Sequence, residues 1–504
     1  MKKQNIIMFV ADQMRSDSLH HLGNKASITP NLDEIVNEGV SFENAYCQNP
    51  VCVPSRCSFL TGLYPHTTGH RTMHYLQRED EPNILKTMKK NGYDVVWIGR
   101  NDVVPATRAK TEYCDEFYDG NSDENLRDAE GISFVPKKSG SSKEQDITDD
   151  NFYSFYIGKL EDSNGYGSVD WKCVELALKT IERKAKEKDG KPLFLYCTIS
   201  FPHPPYGCEE PWYSSIDRNN LPERRPNIST IEGKASMLYG INSRQNLNGW
   251  TEERFNELRA TYLAMVSRFD HQFGMIVDKL KETNQYDNSN IFVFSDHGDY
   301  TGDYTITEKV QNCFEDPISN VPLLIKPSKN IEVKPRVSNA LVELLDIPAT
   351  IADMAGIELD YTQFGKSLIN CLSGEEEHKD AVFCEGGRIH GEEQAMEKGH
   401  GPQSPYWPRL SCQGSEGPEH TKACMIRIGD VKYIMRLYEK DELYNLKDDP
   451  MEINNLIDNP EYKETVLYMK ERLLKFYMET SDFVPNKRFK ISLQYILKNS
   501  VKSQ

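Results

Sequence analysis

No stretch of this chain is both long and apolar enough to span a bilayer. Its twelve cysteines follow no repeating spacing and none forms a Cys-x-x-Cys pair, so a disulfide framework is not indicated and reduced thiols are expected. Basic residues are outnumbered, and the net charge of −17 argues against a nucleic-acid partner or a basic membrane-surface protein. The apolar run Ile6–Ala11 near the start is too short for a signal-peptide core and ends in Asp12 without a small-residue cleavage site, so a cytoplasmic location is expected. No internal repeat is visible. An anionic substrate is compatible with this acidic chain provided its basic groups gather in one cleft.

What is present reads as an α/β protein. At 504 residues the chain exceeds one ordinary core, which implies a large domain with a smaller one. Short runs rich in β-branched and aromatic residues, Asn5–Ala11, Tyr93–Gly99, Pro192–Ile199, Asn290–Ser295 and Val321–Lys326, predict buried strands. Helical stretches lie between them. Thr29 followed by Pro30 predicts a capped helix start. From about Thr251 to Thr283, Phe255, Leu258, Tyr262, Met265, Phe269, Phe273, Ile276 and Leu280 recur every three or four positions and mark one buried stripe. The alternation predicts a large, mostly parallel sheet with helices on both faces.

The texture changes after Cys371, so the expected division is 1–375 and 376–504. The second part should be a small α+β subdomain with strands Ala423–Ile428 and Lys432–Leu437 and a final helix around Tyr462–Met478. Gly386–Pro418 has no clear periodicity. With His390, His400, Tyr406, Trp407 and Arg409, it either lines a substrate pocket or mediates self-association into a homo-oligomer.

One motif points to chemistry. Cys52-Val53-Pro54-Ser55-Arg56, followed by Leu60-Thr61-Gly62, resembles the maturation signature of type I sulfatases in the alkaline phosphatase-like superfamily. Asp441–Pro450 resembles a turn found near the C-terminus of many of them. The resemblance implies that a maturation enzyme oxidises Cys52 to formylglycine, whose hydrated form is the nucleophile. An unmodified cysteine-thiolate hydrolase or a non-catalytic binding protein would be the bland alternatives, but the motif residues are all intact.

The same resemblance implies the rest of the site. Three expected strands end in polar clusters, at Asp12-Gln13, at Asp296-His297 and at Ser200–His203, where ligands of open α/β sheets gather. Asp12 and Asp296, with Gln13, His297 and the group derived from Cys52, would hold one divalent cation. Calcium is the expected ion, with manganese or magnesium open because of the histidine. Many sulfatases carry Asp-Asp and Asp-Asn at these two places, so Gln13 and His297 are departures. Arg56, Lys309 (12 residues beyond His297), His203 and Arg100 would face the substrate anion. Asp296 would activate the nucleophile, and His203 or Lys309 would protonate the leaving alcohol. Asp102 stands where the family commonly has a histidine after Gly-Lys-x, which leaves the base for the second half-reaction open; His66 and His70 are alternatives. The implied function is hydrolysis of a small anionic sulfate ester, aryl or carbohydrate. The rival is a phosphonate monoester or phosphodiester hydrolase of the same superfamily, with which Asp296-His297 is compatible.

Overall fold

The computed structural model describes residues 3–119, 149–161, 166–187 and 190–484. In chain order its strands are β1 (Asn5–Asp12), β2 (Val40–Tyr46), β3 (Asp94–Gly99), β4 (Glu116–Tyr118), β5 (Tyr156–Lys159), β6 (Leu193–Pro202), β7 (Tyr206–Cys208), β8 (Ser289–Ser295), β9 (Leu323–Lys326), β10 (Arg336–Glu343), β11 (Val382–Gly386), β12 (Ala423–Ile428), β13 (Val431–Arg436) and β14 (Glu442–Asn445). Eight form one sheet in the order β10-β2-β9-β8-β1-β6-β3-β4. All its pairings are parallel except those of β9, which runs antiparallel to β2 and β8. β5 and β7 form a separate parallel pair.

The central strands read as continuous apolar runs because both their faces are covered. In β1, Ile6, Met8 and Val10 join the core that contains Trp97 and Phe294. Ile7, Phe9 and Ala11 point to the opposite core, which holds the helix Glu252–Glu282. All eight residues of the expected stripe on that helix are buried. Phe269 and Phe273 lie over Phe9 with ring centroids 4.9 and 5.8 Å away, and each fully buried side chain of this size contributes about 1.5–3 kcal/mol.

β11 to β14 form an antiparallel sheet in sequence order. One face, with Val382, Cys384 and Met425, merges into the main core; the other, with Phe383, Ile426 and Tyr433, receives Met469, Leu473 and Phe476 of the helix Lys463–Thr480.

Some expectations change in detail. The strand foreseen at Val321–Lys326 is shorter and reversed in direction. The Asp441–Pro450 segment is only partly a turn, since Glu442–Asn445 pairs with β13 as the sheet edge. Thr29 does precede a helix, Pro30–Ile35, but its hydroxyl bonds Asp33 and the His20 N–H and caps nothing. The Gly386–Pro418 stretch contains a helix, Trp407–Gln413. All twelve cysteines are free and buried. Among the described residues no helix is long and apolar enough to cross a membrane.

Candidate active site

Four adjacent strands, β8, β1, β6 and β3, end at the same edge of the large sheet. β1 ends in Asp12, and Asp296-His297 follow β8, His203 follows β6 and Arg100 follows β3. Close backbone approach shapes this edge. A Cβ on Gly99 would lie 1.9 Å from the Thr198 carbonyl oxygen and one on Gly298 would lie 1.9 Å from that of Pro317. Gln13 turns the chain out of β1 with φ of 72°, a left-handed conformation that a non-glycine residue adopts at a cost.

Cys52 opens the helix Cys52–Thr61, of which every residue is buried. Its Sγ lies 3.6 Å from Asp12 Oδ1 and 3.2 Å from His297 Nε2. His297 Nε2 is in turn 3.7 Å from both Asp12 Oδ1 and Asp296 Oδ1. One ligand atom from each of Asp12, Cys52, Asp296 and His297 lies within 4.8 Å of the others. His297 Nδ1 is 2.9 Å from the Gly298 carbonyl oxygen, to which it donates, so the Nε2 lone pair faces two carboxylates. Burial lowers the His297 pKa and keeps the ring neutral. Acceptors that converge on acceptors leave a place suited to a cation, and two carboxylates with an imidazole form a competent donor set.

Arg56 lies one turn along the helix and is fully buried. Its Nη2 donates to Asp12 Oδ2 at 2.9 Å and its Nε to Asp296 Oδ2 at 2.9 Å. It therefore clamps the two carboxylates from behind instead of lying on the surface. Arg100 Nη1 reaches the same Asp12 oxygen at 2.8 Å, while its Nε pairs with Asp102 at 2.6 Å. Burial pushes the Asp12 pKa up, but Arg100, His203, Arg56 and Lys309 outweigh it and hold the carboxyl well below its ordinary value. Burial, reinforced by Asp12, raises the Cys52 thiol well above its ordinary range, which disfavours a thiolate nucleophile.

Gln13 sits behind this group. Its backbone N–H donates to Asp296 Oδ1 at 3.1 Å, its side-chain amide donates to Asp299, and its Oε1 accepts from Lys309 Nζ at 2.7 Å. The amide oxygen is thus turned to the lysine. Burial opposes the Lys309 charge, but the negative groups around it, Glu308 and Asp12 among them, outweigh it and raise its pKa. His203 Nδ1 faces the Pro204 carbonyl oxygen at 2.6 Å, and burial together with Lys309 and Arg100 depresses its pKa well below the usual imidazole value. His66 and His70 are committed elsewhere: His66 to Glu385 and Thr480, His70 to Glu81 and the Tyr75 carbonyl.

Asp299 and Glu308 carry no local signature, and Tyr406 enters the sequence reading only under one of two alternatives for its stretch. Asp299 accepts from Tyr206, Thr301 and Gln13 and so anchors the amide that holds Lys309. Glu308 pairs with Lys309 at 3.3 Å and with Arg409 Nε at 3.1 Å. Tyr406, in the 386–418 stretch, lies close enough to Lys309 and Arg100 to feel both charges. Only tertiary contact brings that stretch to the cleft.

A family model described as Sulfatase matches residues 4–357. The chain is 25% identical over 499 residues to an arylsulfatase of Clostridium perfringens, with 94% of each chain covered. It is also 25% identical over 519 residues to the multifunctional alkaline phosphatase superfamily protein PehA of Trinickia caryophylli, with 96% of each covered. The crystal structure of the phosphonate monoester hydrolase of Agrobacterium radiobacter superposes with a TM-score of 0.71 at 21% identity, covering 95% of this chain and 96% of that one.

Proposed function

Because the chain belongs to the sulfatase family and is a sulfuric ester hydrolase, we propose that it hydrolyses an aryl or carbohydrate sulfate ester with a formylglycine made from Cys52. The observation that carries this reading is the convergence of Cys52 Sγ, His297 Nε2, Asp12 and Asp296 at the carboxyl edge of the sheet. The sulfur stands where an oxygen of the hydrated aldehyde would be. A divalent metal bound by Asp12, Asp296 and His297 would supply Lewis acidity toward a sulfate oxygen. The imidazole in that donor set favours manganese over calcium, which prefers oxygen ligands.

The surrounding residues divide the remaining work. Asp296, which accepts from Arg56, from the Gln13 N–H and from the His297 N–H and is thereby fixed in orientation, is the base for the nucleophile. Asp12 Oδ1, 3.6 Å from Cys52 Sγ, orients the group at position 52, but Arg100 and Arg56 hold this carboxyl well below its ordinary value and make it the weaker base. Lys309, held protonated, binds the sulfate and donates to the leaving alcohol. His203, held neutral, enters as an acceptor and takes a proton in the second half-reaction. Asp102 acts through Arg100, whose guanidinium it orients toward Asp12. The fully buried Cys52 also implies that its maturation enzyme meets the chain before the helix Cys52–Thr61 packs.

A phosphonate monoester or phosphodiester hydrolase is the second reading, favoured by one feature, the histidine at position 297 beside Asp296. Side-by-side kcat/KM values on an aryl sulfate and an aryl phosphonate monoester decide between them. A clear preference for the phosphonate would overturn the sulfatase assignment of the natural substrate.

A further inference from the structure

The excursion 387–422 leaves the small sheet after Gly386 and returns at Ala423. Arg388 ties its two ends together. Its backbone N–H donates to the His420 carbonyl at 3.0 Å, its Nε to that of Gln413 at 3.1 Å, and its Nη1 to Glu416 Oε1 at 3.0 Å. At the same base, away from Cys52 in sequence and sharing no residue with its cluster, His390, Glu416 and His420 face one another. One ligand atom of each lies within 4.8 Å of the others.

Two features distinguish this group from a chance surface cluster. His420 is only 1% exposed, yet neither of its ring nitrogens has a hydrogen-bond partner. A buried, unsatisfied imidazole is costly and calls for a ligand. The partner side chains are also held in orientation. The His390 ring stacks on Tyr438 with centroids 3.7 Å apart and meets the His420 ring edge-on at 4.8 Å. Arg388 holds one Glu416 oxygen, and the other, Oε2, lies 3.4 Å from His390 Nδ1.

We propose that His390, Glu416 and His420 form a second divalent-metal site that takes zinc or a cation of similar character. Two imidazoles and a carboxylate, with water in the fourth position, form a familiar zinc donor set. Zinc bonds of roughly 2.0–2.1 Å at tetrahedral angles put neighbouring ligand atoms roughly 3.3 Å apart, close to the spacing from His390 Nδ1 to Glu416 Oε2. Both of those side chains are about half exposed, so the cluster is open to an entering ion on the side away from the buried His420. Arg388 orients the carboxylate as an outer partner, and its positive charge moderates the affinity. Softer donors than the Asp12 group make the two sites selective for different ions. Occupancy would staple the base of a segment whose middle brings Tyr406 and Arg409 to the cleft.

Titration calorimetry tests this on the full chain, stripped with a chelator, loaded with one equivalent of manganese to fill the Asp12 group and then titrated with zinc. Wild type should show a zinc-binding event that weakens at least tenfold in His390→Ala and in Glu416→Gln. The same event should weaken in His420→Ala if that variant folds. The two exposed substitutions keep the test decisive if it does not. Zinc binding undiminished in both exposed variants, or no zinc binding by wild type, overturns the proposal. The readout is independent of catalysis, so it stands or falls apart from the sulfatase reading.

Discussion

Replacing Arg56 with methionine would remove the cationic side chain that bridges Asp12 and Asp296. All three groups are fully buried, so the contact is not screened by solvent. Asp12 would keep Arg100, whereas Asp296 would keep only the backbone N–H groups of Gln13 and His297. Stranding a buried charge in this way costs about 3–5 kcal/mol. With an unfolding entropy of roughly 2.1 cal/mol/K per residue, a chain of this length loses about 1 °C of Tm per kcal/mol, so a drop of about 3–5 °C is expected. Scanning calorimetry of the chelated protein measures it. Saturating manganese should narrow the gap between variant and wild type, because a cation among the carboxylates offsets the lost guanidinium. Arg56→Lys should fall between the two, since a point charge cannot bridge both carboxylates with a planar fork. An Arg56→Met protein that melts within about 1 °C of wild type, with the same response to manganese, would refute the clamp.

The matured Cys52 peptide should weigh about 18 Da less than its thiol form, as oxidation to the aldehyde requires, and Cys52→Ala should be inactive. Full activity in Cys52→Ala would sink the nucleophile. His203→Gln should lower kcat by about 10²–10⁴-fold, with the loss read in kcat more than in KM. Because the folded pKa of His203 lies below its unfolded value, its neutral burial favours the native state above about pH 6.5, and that contribution is lost as pH falls below it. Melting curves should therefore show His203→Gln less sensitive than wild type to acidification from about pH 6.5 downward; equal slopes would contradict the burial argument. Phe269→Ala, beneath β1, should cost about 3–5 kcal/mol in denaturant unfolding with little change in KM. Chelation should abolish turnover, and manganese should restore it better than calcium.

How much of this was legible depends on how local each signal is. The five buried strands named from sequence all exist because strands covered on both faces must be apolar throughout, and no loop satisfies that. β2 and β10 escaped notice because Glu43, Asn44 and Asn339 interrupt their apolar pattern near the sheet edge. β11 lies in a stretch whose apolar residues become meaningful only beside β12. At the site, Cys52 could be found because it opens a motif that resembles the family signature, and Asp12, Asp296 and His297 because that resemblance directs attention to polar residues at the ends of buried strands. Asp299 and Glu308 act through loops, and contact between loops leaves no periodicity to read; for the same reason the stretch holding Tyr406 stayed open between pocket lining and self-association. Position along the motif suggested that Arg56 faces the reacting oxygens. Only the packed structure shows that its Nε and Nη2 also pair with the two carboxylates.

That pairing bears on how an acidic chain attracts an anion. Each cation near Cys52 already has a carboxylate: Arg56 has Asp12 and Asp296, Arg100 has Asp12 and Asp102, and Lys309 and Arg409 share Glu308. With Glu397 also 3.9 Å from Arg409, four positive side chains meet five negative ones, and the cleft by itself offers no net attraction to a sulfate monoester. A dication among Asp12, Asp296 and His297 would turn the balance positive within the reach of a few ångströms, where low dielectric makes it count. Substrate affinity as well as turnover should then depend on the metal. An inert sulfate-ester analogue that binds the chelated and the manganese-loaded protein equally well would show that the anion is held by the side chains alone.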